Sequence, residues 1–129
     1  MSDKTVIRTE AAPAPFQGAP YNQAIVSGGF VFVSGQLGQK PGESALPEGI
    51  VAQTTQVLAN LTAILAAAGT SPANIVKTTV FLKDLDHFAQ MNELYKGFAG
   101  DQPPARSTIQ VAKLPSDALI EIEAIARIG

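Results

Sequence analysis

A chain of 129 residues is long enough for one domain with a sizeable core, and we predict a single domain over residues 1–129. The chain is 46% hydrophobic and 16% charged with a net charge of −2, which gives no electrostatic basis for binding nucleic acid or an anionic membrane. It has no cysteine, which excludes disulfides and thiolate metal sites, and no apolar run of the ~18 residues that a membrane span needs. The segment Met1-Ser2-Asp3-Lys4 has no apolar core of the kind a secretory signal carries, so we expect a cytoplasmic protein.

Hydrophobic periodicity and turn residues predict six strands and two helices in the order β-β-β-α-β-α-β-β. The predicted strands cover residues 5–9, 22–27, 30–34, 75–82, 105–112 and 119–128. The first helix, residues 50–68, should end at Gly69, and the second begins at Asp84 or Asp86 and stops at Gly100. Gly28-Gly29, between the second and third strands, favours a two-residue hairpin turn.

Two helices can cover only one face of a six-stranded sheet. We therefore predict an α+β fold with a mixed sheet and both helices on one face. The other face would expose apolar side chains such as Val31, Val33, Val80 and Ile109. Burial of that face in a closed homo-oligomer removes this exposure better than a monomer does.

Arg106 and Glu121 fall inside the last two predicted strands, where a charged group is normally paired or used. If these strands form a hairpin that pairs Ala112 with Leu119, both side chains lie on one side of the sheet, about 13 Å apart at ~3.3 Å per residue. That separation is too large for one small substrate within a single chain, so we expect two subunits to contribute to one site. Arg106 would bind a carboxylate and Glu121 would exchange a proton. The alternative is a structural salt bridge between Arg106 and Glu123.

Three further places carry polar groups that allow two interpretations each. Asn92 lies on the apolar stripe of the second helix, where an amide is either a structural hydrogen-bonding group or a ligand contact. Tyr21, in a loop, either donates to a substrate or caps a core edge. Ser34-Gly35-Gln36 either brings the backbone close to a ligand or forms a plain turn.

The chain has no phosphate-binding glycine motif, no Gly-x-Ser-x-Gly elbow and a single histidine, so it supports neither a zinc site nor a Ser-His-Asp triad.

Motifs spread over nearly the whole chain carry a family resemblance. They are Pro104-Ala105-Arg106-Ser107, Leu114-Pro115, Glu121-Ile122-Glu123-Ala124-Ile125-Ala126, Val76-Lys77-Thr78-Thr79-Val80-Phe81, Lys83-Asp84-Leu85, Pro20-Tyr21, Ser34-Gly35-Gln36 and Met91-Asn92 with Tyr95. In these motifs the chain resembles the reactive intermediate deaminase family, the Rid or YjgF-type proteins, and is most similar to its RidA branch.

The resemblance implies a chorismate-mutase-like α+β homotrimer with clefts between its subunits. It implies hydrolysis of 2-imino acids to 2-keto acids and ammonia without a metal or an organic cofactor, and no nucleic-acid or membrane partner. It assigns Arg106 to the substrate carboxylate and Glu121 to the reacting carbon. The pocket residues that it implies are Tyr21, Ser34, Gly35, Asn92 and Thr108.

The chain departs from the family pattern at two places. Thr108 stands where many members carry Cys, so a thiol cannot be required there. Ala19 and Asn22 flank Pro20-Tyr21 in place of the commoner Gly-Pro-Tyr-Ser form, which bears on pocket size and substrate preference.

Two other functions are compatible with the sequence. The same clefts would serve a sensor that binds a small 2-keto acid without catalysis. Some relatives are described as endoribonucleases, although the acidic balance and the absence of a histidine pair argue against RNA cleavage here.

Overall fold

The computed structural model describes residues 3–129, so Met1 and Ser2, the first two residues of the segment Met1-Ser2-Asp3-Lys4 considered above, lie outside the described residues. The chain forms six strands and two α-helices in the predicted order. The elements are β1 (Thr5–Ile7), β2 (Ala24–Ser27), β3 (Phe30–Leu37), α1 (Ile50–Ala67), β4 (Ile75–Leu82), α2 (Phe88–Ala99), β5 (Ala105–Gln110) and β6 (Ile120–Arg127). The strands make one mixed sheet in the order β1-β2-β3-β6-β4-β5, with β4 and β5 parallel and the other neighbours antiparallel.

The hairpin predicted at Gly28-Gly29 is confirmed. Both glycines have positive φ, 62° and 84°, and the flanking Ser27 and Phe30 pair directly. Such values suit a two-residue hairpin loop, which twists in the same sense as its strands. Strand β3 runs past its predicted end to Leu37, because a bulge after Val33 lets it resume pairing at Gln36.

The hairpin predicted between the last two strands is wrong. Strand β4 lies between them and pairs with both, so Leu82 has Gln110 on one side and Ile120 on the other. The chain from β4 returns through α2 to a parallel β5, as βαβ connections do. Residues 111–119 are long enough to carry the chain past the end of β4 to β6.

Both helices cover one face of the sheet, as predicted. Helix α1 packs against β3, β6 and α2, and the buried face beneath the helices includes Val31, Val33 and Val80. The sequence-based expectation that these three side chains lie on the open face is therefore wrong.

The opposite face of the sheet is nevertheless apolar, because other side chains occupy it. Phe30 and Phe32 are 40% and 45% exposed, and Ile109, as predicted, is 45% exposed. Val6 on the edge strand β1 adds to the same apolar surface, since it pairs with Ile25, the partner of Phe32. Exposed aromatic surface of this extent is typical of an interaction site.

Helix α1 ends as its sequence predicts. Gly69 has φ 84°, and the N–H groups of Gly69 and Thr70 donate to the carbonyls of Ala66 and Leu65, the two hydrogen bonds of a Schellman motif. By length and composition alone α1 is apolar enough to cross a bilayer, but half of it is buried, as in the core helix of a globular domain.

Candidate active site

Arg106 lies on β5 and faces the helices. Its register partner on β4 is Thr78, which is fully buried beneath α2. The guanidinium carbon lies 4.7 Å from the centre of the Tyr95 ring and 5.5 Å from that of Phe88. Nη1 also contacts the Met91 sulfur at 3.9 Å. The guanidinium is therefore held by rings and a thioether of α2, and only Nη1 donates to them, which leaves the other N–H groups available to a ligand.

Within residues 3–129 no carboxylate forms a salt bridge with Arg106. The alternative of a structural Arg106–Glu123 pair is wrong, because β4 separates their strands. The two side chains also point to opposite faces: Arg106 pairs with the buried Thr78, whereas Glu123 pairs with Thr79 on the open face.

Arg106 lines an open pocket of about 360 Å³ together with Asn92, Tyr95 and Pro104. The side-chain oxygen of Asn92 is buried and has no hydrogen-bond partner among the described residues. A buried amide without a partner costs free energy unless a ligand or water completes it. The guanidinium can donate to a small carboxylate, whereas the Asn92 oxygen can accept from an N–H or O–H group of a ligand or from water.

Thr108 lies two residues beyond Arg106 on β5 and pairs with the buried Val80, so it shares the helix-covered face. Its side chain is half-buried. The structure therefore brings Thr108 and Asn92 to the same side of the sheet as Arg106.

Glu121 lies on β6 and points to the opposite, open face of the sheet. It pairs with Leu37 on β3 and Phe81 on β4, and it is half-buried. Within the described part of the chain, no hydrogen bond to its carboxylate contributes to its pKa. Burial, with a smaller contribution from the charge of Glu123, raises the pKa of the Glu121 carboxyl above its ordinary value. A raised pKa suits a group that takes up and releases a proton.

Gly35 allows the Glu121 carboxylate to lie directly on the β3 backbone. A Cβ atom at position 35 would be 2.6 Å from Oε2 of Glu121, which is closer than real Cβ contacts come. The bulge in β3 falls at this residue. Bulges of this kind often redirect a strand next to an active site.

Tyr21 and Gly35 line one crevice, with Gln36 and Leu37 beside them. The Tyr21 hydroxyl oxygen accepts a hydrogen bond of 2.6 Å from the Phe16 N–H, so the phenolic proton is free to be donated elsewhere. Ser34 is engaged differently, because its hydroxyl donates to the Asn22 carbonyl at 2.7 Å.

The candidate residues thus form two groups on opposite faces of one protomer. The first contains Arg106, Asn92 and Thr108, and the second contains Glu121, Gly35 and Tyr21. The sequence-based expectation that Arg106 and Glu121 share one side of the sheet is wrong, since it assumed the terminal hairpin. It also missed the support of Arg106 by Phe88, Met91 and Tyr95, although their three- and four-residue spacing on one helical stripe is visible in the sequence.

Replacing Gly35 by Ala should displace the Glu121 carboxylate without unfolding the protein. The added Cβ meets the flexible end of a side chain, which can rotate away. We expect the thermal midpoint to stay near that of the wild type and the Glu121 pKa, measured by NMR titration, to fall as the carboxyl becomes better hydrated.

Gly38→Ala is the matched control. Its Cβ would lie 2.5 Å from the backbone oxygen of Gln53, which cannot rotate away, so this variant should lose about 1–3 kcal/mol of unfolding free energy. An unchanged Glu121 pKa in Gly35→Ala would contradict the close packing inferred here.

The raised pKa of Glu121 also predicts a pH-dependent stability. The folded state binds the Glu121 proton more tightly than the unfolded state, so this residue's contribution to stability is lost as the pH rises from the ordinary glutamate range through the raised pKa. Denaturant unfolding at matched protein concentration should show wild type losing stability relative to Glu121→Gln over that pH range. Parallel pH profiles for the two proteins would show that the burial of Glu121 has no such effect.

The comparisons with known proteins agree with this fold. Residues 9–128 match the family model described as Endoribonuclease L-PSP. The chain is 50% identical over 124 residues to a RutC family protein of Pyrococcus horikoshii, covering 95% of this chain and 97% of that protein. It is 47% identical over 123 residues to the 2-iminobutanoate/2-iminopropanoate deaminase of Salmonella typhimurium, covering 93% of this chain and 94% of that protein.

Among solved structures, the crystal structure of RidA from an Antarctic Psychrobacter species superposes with a TM-score of 0.92 at 43% identity, covering 96% of this chain and 99% of that one. The fold and the two groups of candidate residues thus define a small α+β protein with an arginine-lined pocket. The chain belongs to the Rid (YjgF) family, the Endoribonuclease L-PSP family of proteins, as the sequence motifs predicted.

Proposed function

We propose that this protein hydrolyses short 2-imino acids to 2-keto acids and ammonia. The observation that carries the proposal is the guanidinium of Arg106, which lines an open pocket with Asn92 and has no carboxylate partner within residues 3–129. An arginine held in this way is suited to binding a carboxylate through two parallel hydrogen bonds. The name of the Salmonella relative, which is 47% identical, supports the imine as the reacting group.

The active site is proposed to form between subunits of a homotrimer, with one cleft at each interface. Two observations support this arrangement. Arg106 and Glu121 point to opposite faces of one sheet, so a single protomer cannot bring them to one small molecule. Arg106 also lies on β5, an edge strand that a second subunit can approach, and the open face exposes aromatic side chains that a closed oligomer would bury.

In this mechanism Arg106 holds the substrate carboxylate and thereby orients the adjacent C=N carbon. Each charge-assisted hydrogen bond contributes about 1.5–3 kcal/mol, and much of the rate gain comes from this positioning. Asn92 borders the same pocket, and Thr108 lies two residues beyond Arg106 on the same face of β5; both are proposed to contribute to the choice of substrate side chain.

Glu121 is proposed to supply the proton transfers. Its carboxylate holds a water molecule, accepts a proton as the water oxygen attacks the imine carbon, and donates it to the nitrogen. The hydroxyl of the resulting carbinolamine then gives its proton to the Glu121 carboxylate, which returns it to the nitrogen as the C–N bond breaks, so that the carbonyl of the 2-keto acid forms and ammonia departs. The raised pKa makes the Glu121 carboxylate a stronger base than an ordinary glutamate, which favours the uptake and return of a proton. The reaction as written needs no metal ion or organic cofactor.

The remaining site residues shape the second half of the cleft. Gly35 gives the Glu121 carboxylate its place against the β3 backbone, and the free phenolic proton of Tyr21 is available to the polar groups of the substrate. Ser34 is proposed to shape the pocket indirectly, because its hydroxyl donates to the Asn22 carbonyl, next to Tyr21 in the chain. We expect this chemistry to take place in the cytoplasm, without a nucleic-acid or membrane partner.

The decisive experiment couples the purified protein to a source of imine. A threonine dehydratase releases 2-iminobutyrate, semicarbazide traps the imine that persists, and formation of 2-ketobutyrate is followed in parallel. We expect the protein to suppress semicarbazone formation. Calorimetry with 2-ketobutyrate is run beside it, because binding without turnover would favour a sensor of 2-keto acids instead.

Ribonuclease activity is the function that the family description names. The net charge of −2 offers little attraction for a phosphate backbone, and the single histidine, His87, is half-buried on the turn before α2. Incubation with labelled RNA should leave the RNA intact under conditions in which imine is hydrolysed.

A further inference from the structure

The guanidinium of Arg106 lies against a ring that is itself fixed from the sheet. The Tyr95 hydroxyl and the Thr78 hydroxyl share a hydrogen bond of 2.6 Å, and both side chains are buried, 6% and 0% exposed. Thr78 is also the residue on β4 that pairs with Arg106 on β5. The strand that aligns the Arg106 backbone therefore also holds the ring against which its side chain rests.

This arrangement orients the guanidinium without a salt bridge, and the one hydrogen bond that Arg106 donates goes from Nη1 to the Met91 sulfur, a weak acceptor. A salt bridge would occupy N–H groups and compete with a substrate carboxylate, whereas the aromatic contact engages the π-face of the ring. A long arginine side chain loses considerable rotamer freedom when it binds a ligand. Contact with a fixed ring removes part of that freedom before the ligand arrives, which favours binding.

We propose that Tyr95 is a positioning residue, fixed by Thr78, that sets the direction in which Arg106 presents its N–H groups to a carboxylate. The inference rests on the proposed function only in that Arg106 is the carboxylate-binding group. It adds that the preference of the site for carboxylates depends on a ring and a buried hydroxyl pair that need not touch the substrate.

The test measures the carboxylate preference, defined as the ratio of the dissociation constants of 2-ketobutyramide and 2-ketobutyrate, by calorimetry. Tyr95→Leu removes the ring and should lower this preference about tenfold. Tyr95→Phe and Thr78→Val each break the same hydroxyl pair but keep the ring, and each should lower the carboxylate preference about threefold. The double variant should lower the preference no further than either single variant, because both remove the same hydrogen bond.

A purely structural role gives a different pattern. General loosening of the pocket would weaken both ligands equally and leave their ratio unchanged, which would overturn the inference, as would additive losses in the double variant. If Tyr95→Leu does not fold, the three variants of the hydroxyl pair decide the question, since they change one buried bond at nearly constant volume. A wild-type protein that binds neither ligand also overturns it.

Failure of the proposed function is distinguishable from failure of this inference. A wild type that prefers 2-ketobutyrate but does not hydrolyse imines overturns only the catalytic proposal. An active wild type whose carboxylate preference survives in Tyr95→Leu overturns only the role of Tyr95.

Discussion

Substitution of Arg106 by Ala is expected to abolish imine hydrolysis while leaving the fold and the oligomer intact. The variant loses two charge-assisted hydrogen bonds to the substrate carboxylate, about 1.5–3 kcal/mol each, so kcat/KM should fall by roughly 100-fold or more. The fold should persist because Arg106 is only half-buried and forms no salt bridge within residues 3–129. Turnover is measured with the dehydratase-coupled assay, and the oligomer by light scattering.

Two variants serve as controls for Arg106→Ala. Arg106→Lys keeps the positive charge but lacks the planar pair of donors, so it should retain only part of the activity. Arg8→Ala removes an exposed arginine far from Arg106 in the sheet, since it follows β1 at the other edge, and should behave as wild type. Unchanged turnover in Arg106→Ala would remove the mechanism altogether.

Two inactive variants are expected to restore activity when their subunits are mixed. Arg106→Ala retains Glu121, and Glu121→Gln retains Arg106, so an interface is complete when the Glu121→Gln subunit supplies Arg106 and the Arg106→Ala subunit supplies Glu121. In randomly mixed cyclic trimers about one quarter of the interfaces have the correct combination, and activity should recover to about that fraction of wild type. The mixture is made by unfolding both variants together and refolding them.

The matched controls are each variant refolded alone and the two variants mixed after folding, all of which should stay inactive as long as subunits do not exchange. Native mass spectrometry establishes that mixed trimers are present. If verified mixed trimers remained inactive, Arg106 and Glu121 would not act at one shared site. A folded protein that is a lone subunit in solution would exclude the shared site directly.

The local elements of the fold were predictable because their signals are local. Gly28-Gly29 supplies the positive φ values of a hairpin turn, Gly69 completes the cap of α1, and the Asp84 carboxylate accepts from the Asp86 N–H before α2. Each depends on residues only a few positions apart. The family motifs likewise named Arg106, Glu121 and the pocket residues without any knowledge of strand pairing.

The sequence alone determined the element order, the family, the apolar open face and the unusual charged groups in the last strands, since composition, periodicity and motifs carry these directly. Only the tertiary structure decided that β4 separates β5 from β6 and thereby places Arg106 and Glu121 on opposite faces. Adjacent apolar strands have several pairings of similar local energy, and the choice among them comes from how α2 packs over the sheet. The same packing places Tyr95 between Thr78 and Arg106, a contact between three elements that no local pattern encodes.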